Sequence, residues 1–268
     1  MDIIFYPAPK HLENYVRYFW SCDVNRSSRK SEIVFENFAD RFPRFVFQVE
    51  DKPNLINQEG NSVPQAYICG VDVVPSTMSV QPYFSHFGVS FHPFAVLQIF
   101  RIEALMPNSI VDIKDLDYKG ILNQLKDATS HQHRFTIMCH FIEQQLQKKM
   151  LVHQTVSDII LNNKLLHHTD LYHLQHEYKT SERTLERLFK KSIGISPKTY
   201  QRVVRFENSL NYLKNTPQYN SGNGAHVFDY TDQSHFIKDF KLFSNLTPLQ
   251  FKKNNFLISE SSAYISAT

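Results

Sequence analysis

The stretches SERTLERLFKKSIGISPKTY (residues 181–200) and DQSHFIKDFKLFSNLTPLQF (residues 232–251) are two copies of one pattern. The copies are offset by 51 positions, and each has a phenylalanine followed by a lysine in its middle part. Each also has a hydroxyl residue followed by proline near its end. An internal repeat of this kind predicts that one structural unit occurs twice in the C-terminal part of the chain.

The two hydroxyl–proline dipeptides, Ser196-Pro197 and Thr247-Pro248, predict helix starts. A hydroxyl caps the free amides of a helix N-terminus, and proline suits the first helical position, whose N–H has no partner within the helix. Gly194 and Asn245 lie two residues upstream, where a left-handed residue ends a helix. Each copy is therefore predicted to be a helix, a short break and the start of another helix.

The helix of each copy has one apolar face and one basic side. Residues four positions apart share a helical face, and each copy has such an apolar pair: Leu185 with Phe189, and Phe236 with Phe240. Arg187 and Lys238 lie two positions into each pair and therefore point the other way. A short helix is predicted before each copy, at Leu171–Glu177 and Ala225–Phe228, with three turn residues between. A short helix, a tight turn and a second helix with an exposed basic side describe the helix-turn-helix.

The segment Pro197–Lys214 is predicted to be a continuous helix between the two units. Its 18 residues would span ~27 Å at the α-helical rise. Two helices held at the ends of such a rod can enter successive major grooves, which recur about every 34 Å of B-DNA. The alternative is a helical bundle with a duplicated hairpin and no ligand.

Basic charge is concentrated in the same part of the chain. Residues 151–258 contain 14 Lys or Arg and 9 Asp or Glu, whereas residues 1–150 contain 15 and 16. A surplus confined to one part is expected if that part alone meets a polyanion. Solvated basic faces are also common, so charge alone does not assign a partner.

The N-terminal part has a different pattern. Residues 1–92 are predicted to be strand-rich, and helical spacing begins near Pro93. His133–Met150 is predicted to be an amphipathic helix that packs either on the strands or on a second copy of itself. We therefore predict an α+β chain with a β-rich domain (1–150), an all-α domain (151–258) and a flexible tail (259–268).

Several classes of chemistry are not indicated. The three cysteines, Cys22, Cys69 and Cys139, are widely spaced and predict neither a disulfide scaffold nor a structural zinc site. His86 and His92 near Cys69 lack the spacing of a metal motif, so no metal or cofactor is expected. No catalytic constellation stands out, and no apolar run has the length of a membrane span. The sequence predicts a non-enzymatic cytoplasmic protein.

The segments SERTLERLFKKSIGISPKTYQRVVRF (181–206) and DYTDQSHFIKDFKLFSNLTPLQFKK (229–253) resemble the AraC/XylS family of bacterial transcription regulators. The resemblance implies that the second helix of each unit binds DNA. It also implies that Arg205 is an ion-pair residue fixing the linker helix, and that Lys191, Lys198 and Lys241 contact phosphates. The DNA-binding residues it implies are Arg183, Glu186, Arg187, Lys190, Gln233, Ser234, His235 and Lys238.

Two parts of the resemblance are weaker. Gly222, Gly224 and Asp229 depart from the family pattern, which predicts weaker or less specific contacts by the second unit than by the first. The segment SHFGVSFHPFAVLQIF (85–100) resembles the cupin-like sensing domains that precede such modules. That likeness implies a role in dimerisation or effector sensing.

The sequence therefore predicts a transcription regulator, activator or repressor, that binds double-stranded promoter DNA. RNA polymerase, a small-molecule effector and a second copy of the chain remain open as partners. Two other functions also stay open: a cupin-like, metal-dependent enzyme fused to a DNA-binding module, and a protein-interaction module that has lost DNA binding.

Overall fold

A computed structural model describes residues 2–24, 33–81, 83–116, 118–165, 171–216, 228, 230–254, 256–258 and 263–266. The strands are β1 (Asp2–Pro7), β2 (Val16–Val24), β3 (Ile33–Asn37), β4 (Arg44–Gln48), β5 (Leu55–Asn57), β6 (Ala66–Cys69), β7 (Ser76–Val80), β8 (Phe84–Phe91), β9 (Ile110–Asp112), β10 (Phe256–Ile258) and β11 (Ala263–Ser266). The helices are α1 (Ala95–Phe100), α2 (Lys119–Asp127), α3 (His131–Leu146), α4 (Gln154–Leu161), α5 (Leu171–Glu177), α6 (Glu182–Ile193), α7 (Pro197–Asn215), α8 (Gln233–Ser244) and α9 (Pro248–Lys253).

The strands form two antiparallel sheets, which confirms the predicted α+β class and the strand-rich N-terminal part. One sheet has the order β1-β2-β8-β4-β6-β9, and the other has the order β10-β11-β3-β7-β5. The six-stranded sheet packs on the five-stranded sheet with one face and on α1–α3 with the other. Every residue of β4 is therefore buried, which is why its sequence does not alternate cleanly between apolar and polar residues.

Helix α3 packs on the six-stranded sheet. Met138, Phe141 and Ile142 belong to the core that contains the outer face of that sheet. The Phe135 ring lies 4.8 Å, centroid to centroid, from the Phe19 ring of β2. Of the two interpretations of this amphipathic helix, the structure shows the intramolecular one.

The C-terminal residues differ from the predicted flexible tail. Residues 263–266 form β11, which pairs with β3 in the register Ala263↔Asn37 and Ile265↔Phe35. Strand β3 would otherwise be an edge strand with unpaired backbone groups, which readily accept a further strand. The tail thus joins the sheet of the N-terminal domain.

The two parts of the chain share hydrophobic cores across the predicted boundary near residue 150. Val71 and Leu97 of the N-terminal part pack in one cluster with Leu185 and Phe189 of α6. A second cluster joins Phe38 to α7, α8 and α9. The positions of α6 and α8 are therefore fixed partly by the N-terminal domain.

Gly194 lies at one of these contacts, so a substitution there tests the packing of α6 against the N-terminal domain. Its φ is +88°, and a Cβ there would approach the Leu105 carbonyl oxygen to 1.9 Å. We expect Gly194→Ala to lower the free energy of unfolding by about 2–4 kcal/mol, because it adds a backbone clash to left-handed strain. Thermal or urea unfolding measures this change.

Gly60→Ala is the matched control. Gly60 has a φ of +82°, but a Cβ there meets no atom within 4 Å. It should therefore cost only the conformational term, about 1 kcal/mol. Equal losses in the two variants would show that Gly194 is not in close contact with the N-terminal domain.

Candidate DNA-binding surface

Helices α6 and α8 begin and end in the same way, which confirms the helix boundaries predicted from the repeat. Ser181 and Asp232 accept hydrogen bonds from the backbone N–H groups of Thr184 and His235 at the helix starts. Both helices end on a left-handed residue, Gly194 at φ +88° and Asn245 at φ +60°. The next helices, α7 and α9, start at the predicted hydroxyl–proline pairs, with Pro at their first positions.

The apolar pairs of the two helices are buried as predicted. Leu185, Phe189, Phe236 and Phe240 are each at most 1% exposed. The predicted DNA-binding residues lie on the remaining surface. Arg183, Arg187, Lys190, Gln233, Ser234 and Lys238 are exposed, whereas Glu186 and His235 are half-buried. We refer to these eight side chains as the reading surface.

Two predicted contact residues also have partners within the protein. The Nε2 atom of His235 lies 3.8 Å from Asp239 Oδ2. The ammonium group of Lys191 lies 3.1 Å from a carboxylate oxygen of Glu103 in the N-terminal domain. Both members of this second pair are well exposed, so the pair contributes little stability and can open.

Arg202 joins the linker helix to the second unit through an ion pair. Its guanidinium Nη2 lies 2.8 Å from Oδ1 of Asp239, a carboxylate that is almost completely buried in α8. Arg205, predicted as the ion-pair residue, places its guanidinium 4.9 Å from the centre of the Tyr230 ring. The signal that could have indicated Asp239 is an acidic residue directly before Phe240, on the buried side of α8.

A short segment of the N-terminal domain contacts the linker helix and the second unit. The Arg41 guanidinium lies 3.1 Å from Glu207 in α7, and the Arg41 N–H donates to the same carboxylate at 2.8 Å. The Ala39 N–H donates to the carbonyl of Phe243 in α8. The first unit is held separately, because the Ala104 N–H donates to the carbonyl of Lys191. Each unit of the repeat is thus tethered to the N-terminal domain.

Burial changes the protonation of Glu207 at its contact with Arg41. It raises the pKa of Glu207 from its ordinary value near 4.5 to about 7, although Arg41 opposes the shift. Asp40 also raises the pKa of Glu207, and Arg17 lowers it. The carboxyl group therefore titrates near neutral pH.

The described part of the chain shows neither a metal-binding cluster nor a membrane-spanning helix. Residues there include no group of three or more His, Cys, Asp or Glu side chains arranged to hold a metal ion. No helix in the described ranges is long and apolar enough to cross a membrane. Gly222, Gly224, Asp229 and most of the predicted short helix Ala225–Phe228 lie outside the described residues.

Comparison with known proteins supports the assignment of the C-terminal part as a helix-turn-helix module. Residues 174–254 match the model of a helix-turn-helix domain family, and residues 4–109 match a domain of unknown function (DUF6597). No curated protein sequence matches the chain.

Among solved structures, the chain is similar to ToxT from Vibrio cholerae. One ToxT structure has 12% identity and a TM-score of 0.45, with 88% of this chain and 98% of that chain covered. Another, of ToxT from Vibrio cholerae O395, has 13% identity and a TM-score of 0.44, with 88% and 97% covered.

Arg202→Met tests the link between α7 and α8. It removes the nearer cationic partner of the buried Asp239 carboxylate and leaves only His235 at 3.8 Å, so we expect a loss of about 1–3 kcal/mol in the free energy of unfolding. Lys198→Met, at an exposed position of the same helix, should change it by less than about 0.5 kcal/mol. An unaltered stability of the Arg202 variant would contradict the link.

Glu207→Gln tests the buried carboxyl group. A carboxyl whose pKa is raised in the folded state stabilises it below the unfolded pKa, and this contribution is lost as pH rises through about 7. The parent should therefore lose stability relative to Glu207→Gln between pH 5 and 8, by about 2–3 kcal/mol. Urea unfolding of both proteins at each pH measures the difference, and parallel pH profiles would contradict the shift.

Proposed function

We propose that α6 and α8 enter two successive major grooves on one face of a promoter. The premise is that this chain is a DNA-binding transcription regulator with a helix-turn-helix domain of the AraC type. The observation that carries this proposal is the shared construction of the two helices. Each is capped by a short polar residue, closed by a left-handed residue and buried on its aromatic side. Each therefore has only its polar side available to a ligand.

The linker helix supports the spacing. Helix α7 contains 19 residues, which corresponds to ~28 Å at the α-helical rise. Successive major grooves on one face recur about every 34 Å. Aromatic contacts fix α8 on this helix, since the Phe206 ring of α7 lies 5.2 Å from the Phe240 ring.

The chemistry of the reading surface suits base edges and phosphates. Arg183 and Arg187 can each donate two hydrogen bonds to guanine, Gln233 can pair with adenine, and Glu186 can accept from cytosine. Ser234 and Lys238 complete the base-reading set in the second unit. Lys190 and His235 are placed to contact phosphates, which orient the protein without reading sequence.

We assign residues 1–150 to sensing or dimerisation and residues 151–258 to DNA binding. The tethers at Ala104 and at Ala39–Arg41 favour this division, because a change in the N-terminal domain is transmitted to both units. A regulator of this type acts by binding, so the proposed role is non-enzymatic. A small molecule bound in the N-terminal domain, a second copy and RNA polymerase are the proposed further partners.

Two variants separate base reading from phosphate contact. We expect Arg187→Ala to weaken binding by about 1–3 kcal/mol and to relax preference at one base pair. Lys190→Ala should weaken binding to all sequences evenly and reduce the salt slope by about one. Fluorescence anisotropy on duplexes from the region upstream of the protein's own gene measures both effects.

Lys126→Ala is the control, because Lys126 is an exposed lysine on α2, in the N-terminal domain. It should bind as the parent does. If the Arg187 and Lys190 variants also bind every duplex as the parent does, α6 does not contact DNA. If the parent binds no duplex with sequence preference, the interaction-module alternative is favoured.

A further inference from the structure

A cavity of about 170 Å³ lies between the two sheets of the N-terminal domain. Its wall is largely apolar and includes Val46 from the six-stranded sheet and Phe35, Leu55 and Met78 from the five-stranded sheet. A cavity of about 150 Å³ accommodates benzene. The volume therefore fits a molecule with a single ring and few further atoms.

Two residues that line this cavity each have a polar side-chain atom with no hydrogen-bond partner among the described residues. These atoms are Nε1 of Trp20 and Nε2 of His86. The two residues are only 6% and 4% exposed. An unpaired polar atom at such depth is costly and uncommon, so a ligand with a polar group that pairs with these atoms would offset this cost.

The strand register places these two side chains together. Trp20 pairs with Gly88, and Cys22 pairs with His86, so Trp20 and His86 lie diagonally on one face of β2 and β8. A Cβ at Gly88 would lie 2.3 Å from the Trp20 ring. Glycine at this position therefore lets the indole lie flat on the sheet.

The protonation of His86 narrows the chemistry of the ligand. Burial lowers the pKa of His86 to about 3, so the imidazole is neutral near pH 7. A neutral imidazole nitrogen is either a donor or an acceptor, whereas the indole N–H only donates. A hydroxyl group both donates and accepts, so it satisfies the indole N–H and either form of His86.

The charges at the wall exclude an anion. The Arg44 guanidinium lies 2.7 Å from Asp72 and 3.9 Å from Asp40, so the cation that lines the cavity is already paired with carboxylates. An additional carboxylate in the cavity would have no compensating cation among these residues. An ammonium group is also unsuitable, because it has no acceptor for the Trp20 N–H.

We propose that this cavity binds a neutral, single-ring molecule with one hydroxyl group, a simple phenol, whose oxygen accepts from Trp20 Nε1 and hydrogen-bonds to His86 Nε2. The identification of this molecule as the effector rests on the proposed function above. The binding of this molecule to the cavity does not rest on that function.

The wall of the cavity is also connected to the DNA-binding part. Asp72, beside Arg44, exchanges two backbone hydrogen bonds with Asp40 at 2.8 and 2.9 Å. Arg41 directly follows Asp40 in the chain and contacts Glu207 of the linker helix. A ligand that moves Arg44 or Asp72 therefore acts on the segment that contacts α7.

The chain contains a single tryptophan, which makes the test specific. The ¹⁵N-labelled full chain, without DNA, has one indole N–H signal, and that signal reports the Trp20 hydrogen bond directly. We expect phenol to shift it saturably and to bind about tenfold more tightly than toluene, which has the same shape and no hydroxyl. Benzoate and benzylamine, with a negative and a positive charge, should bind more weakly than phenol.

Two variants test whether the phenol hydroxyl contacts His86. His86→Leu should lower phenol affinity by about tenfold and leave toluene affinity within about twofold, as measured by calorimetry. Retained toluene binding shows that the cavity is intact. His140→Leu, at an exposed position on α3, should bind both molecules as the parent does.

Three results would overturn the proposal. They are equal binding of phenol and toluene, tighter binding of benzoate or benzylamine than of phenol, and an indole signal that phenol does not move. DNA binding is measured separately, so loss of one property leaves the other interpretable. If phenol binds but leaves DNA affinity unchanged, the cavity assignment stands and the effector role falls.

Discussion

Burial of the aromatic side of α6 and α8 is the constraint on which the DNA-binding surface depends. The Phe189 ring packs against Tyr200 of α7, and the Phe240 ring packs against Phe206 of the same helix. Once these faces are fixed, only the opposite side of each helix remains accessible. That side carries Arg187 and Lys238, so the packing that stabilises the fold also determines which residues can reach DNA.

The same constraint extends into the N-terminal domain. Phe38 joins the cluster around α8 and α9, while Leu97 joins the cluster around α6. The separation and orientation of the two DNA-binding helices are therefore a property of the whole chain and not of the helical domain alone. The close approach of Gly194 to Leu105 is a local example, because no larger residue fits there without displacing backbone.

Some buried polar groups of this protein lie at the contact between the domains, and others line the cavity of the N-terminal domain. Glu207 is buried against Arg41 at the contact between domains, and His86 and Trp20 are buried in the cavity wall without a partner among the described residues. Elsewhere the core is mainly aromatic and aliphatic. Burial of such groups costs free energy unless they are paired, so Glu207 depends on Arg41 for compensation.

The sequence by itself determined the repeated unit, the ends of its helices and the side of each helix that faces solvent. Caps and helical faces depend on residues within about four positions, so Ser181, Gly194 and Pro197 specify them without knowledge of the fold. Only the tertiary structure decided that Arg202 forms the ion pair with Asp239, that Arg41 contacts Glu207, and that residues 263–266 join β3. These partners lie 37, 166 and more than 200 positions apart, and no local pattern encodes which distant groups meet when the sheets and helices pack.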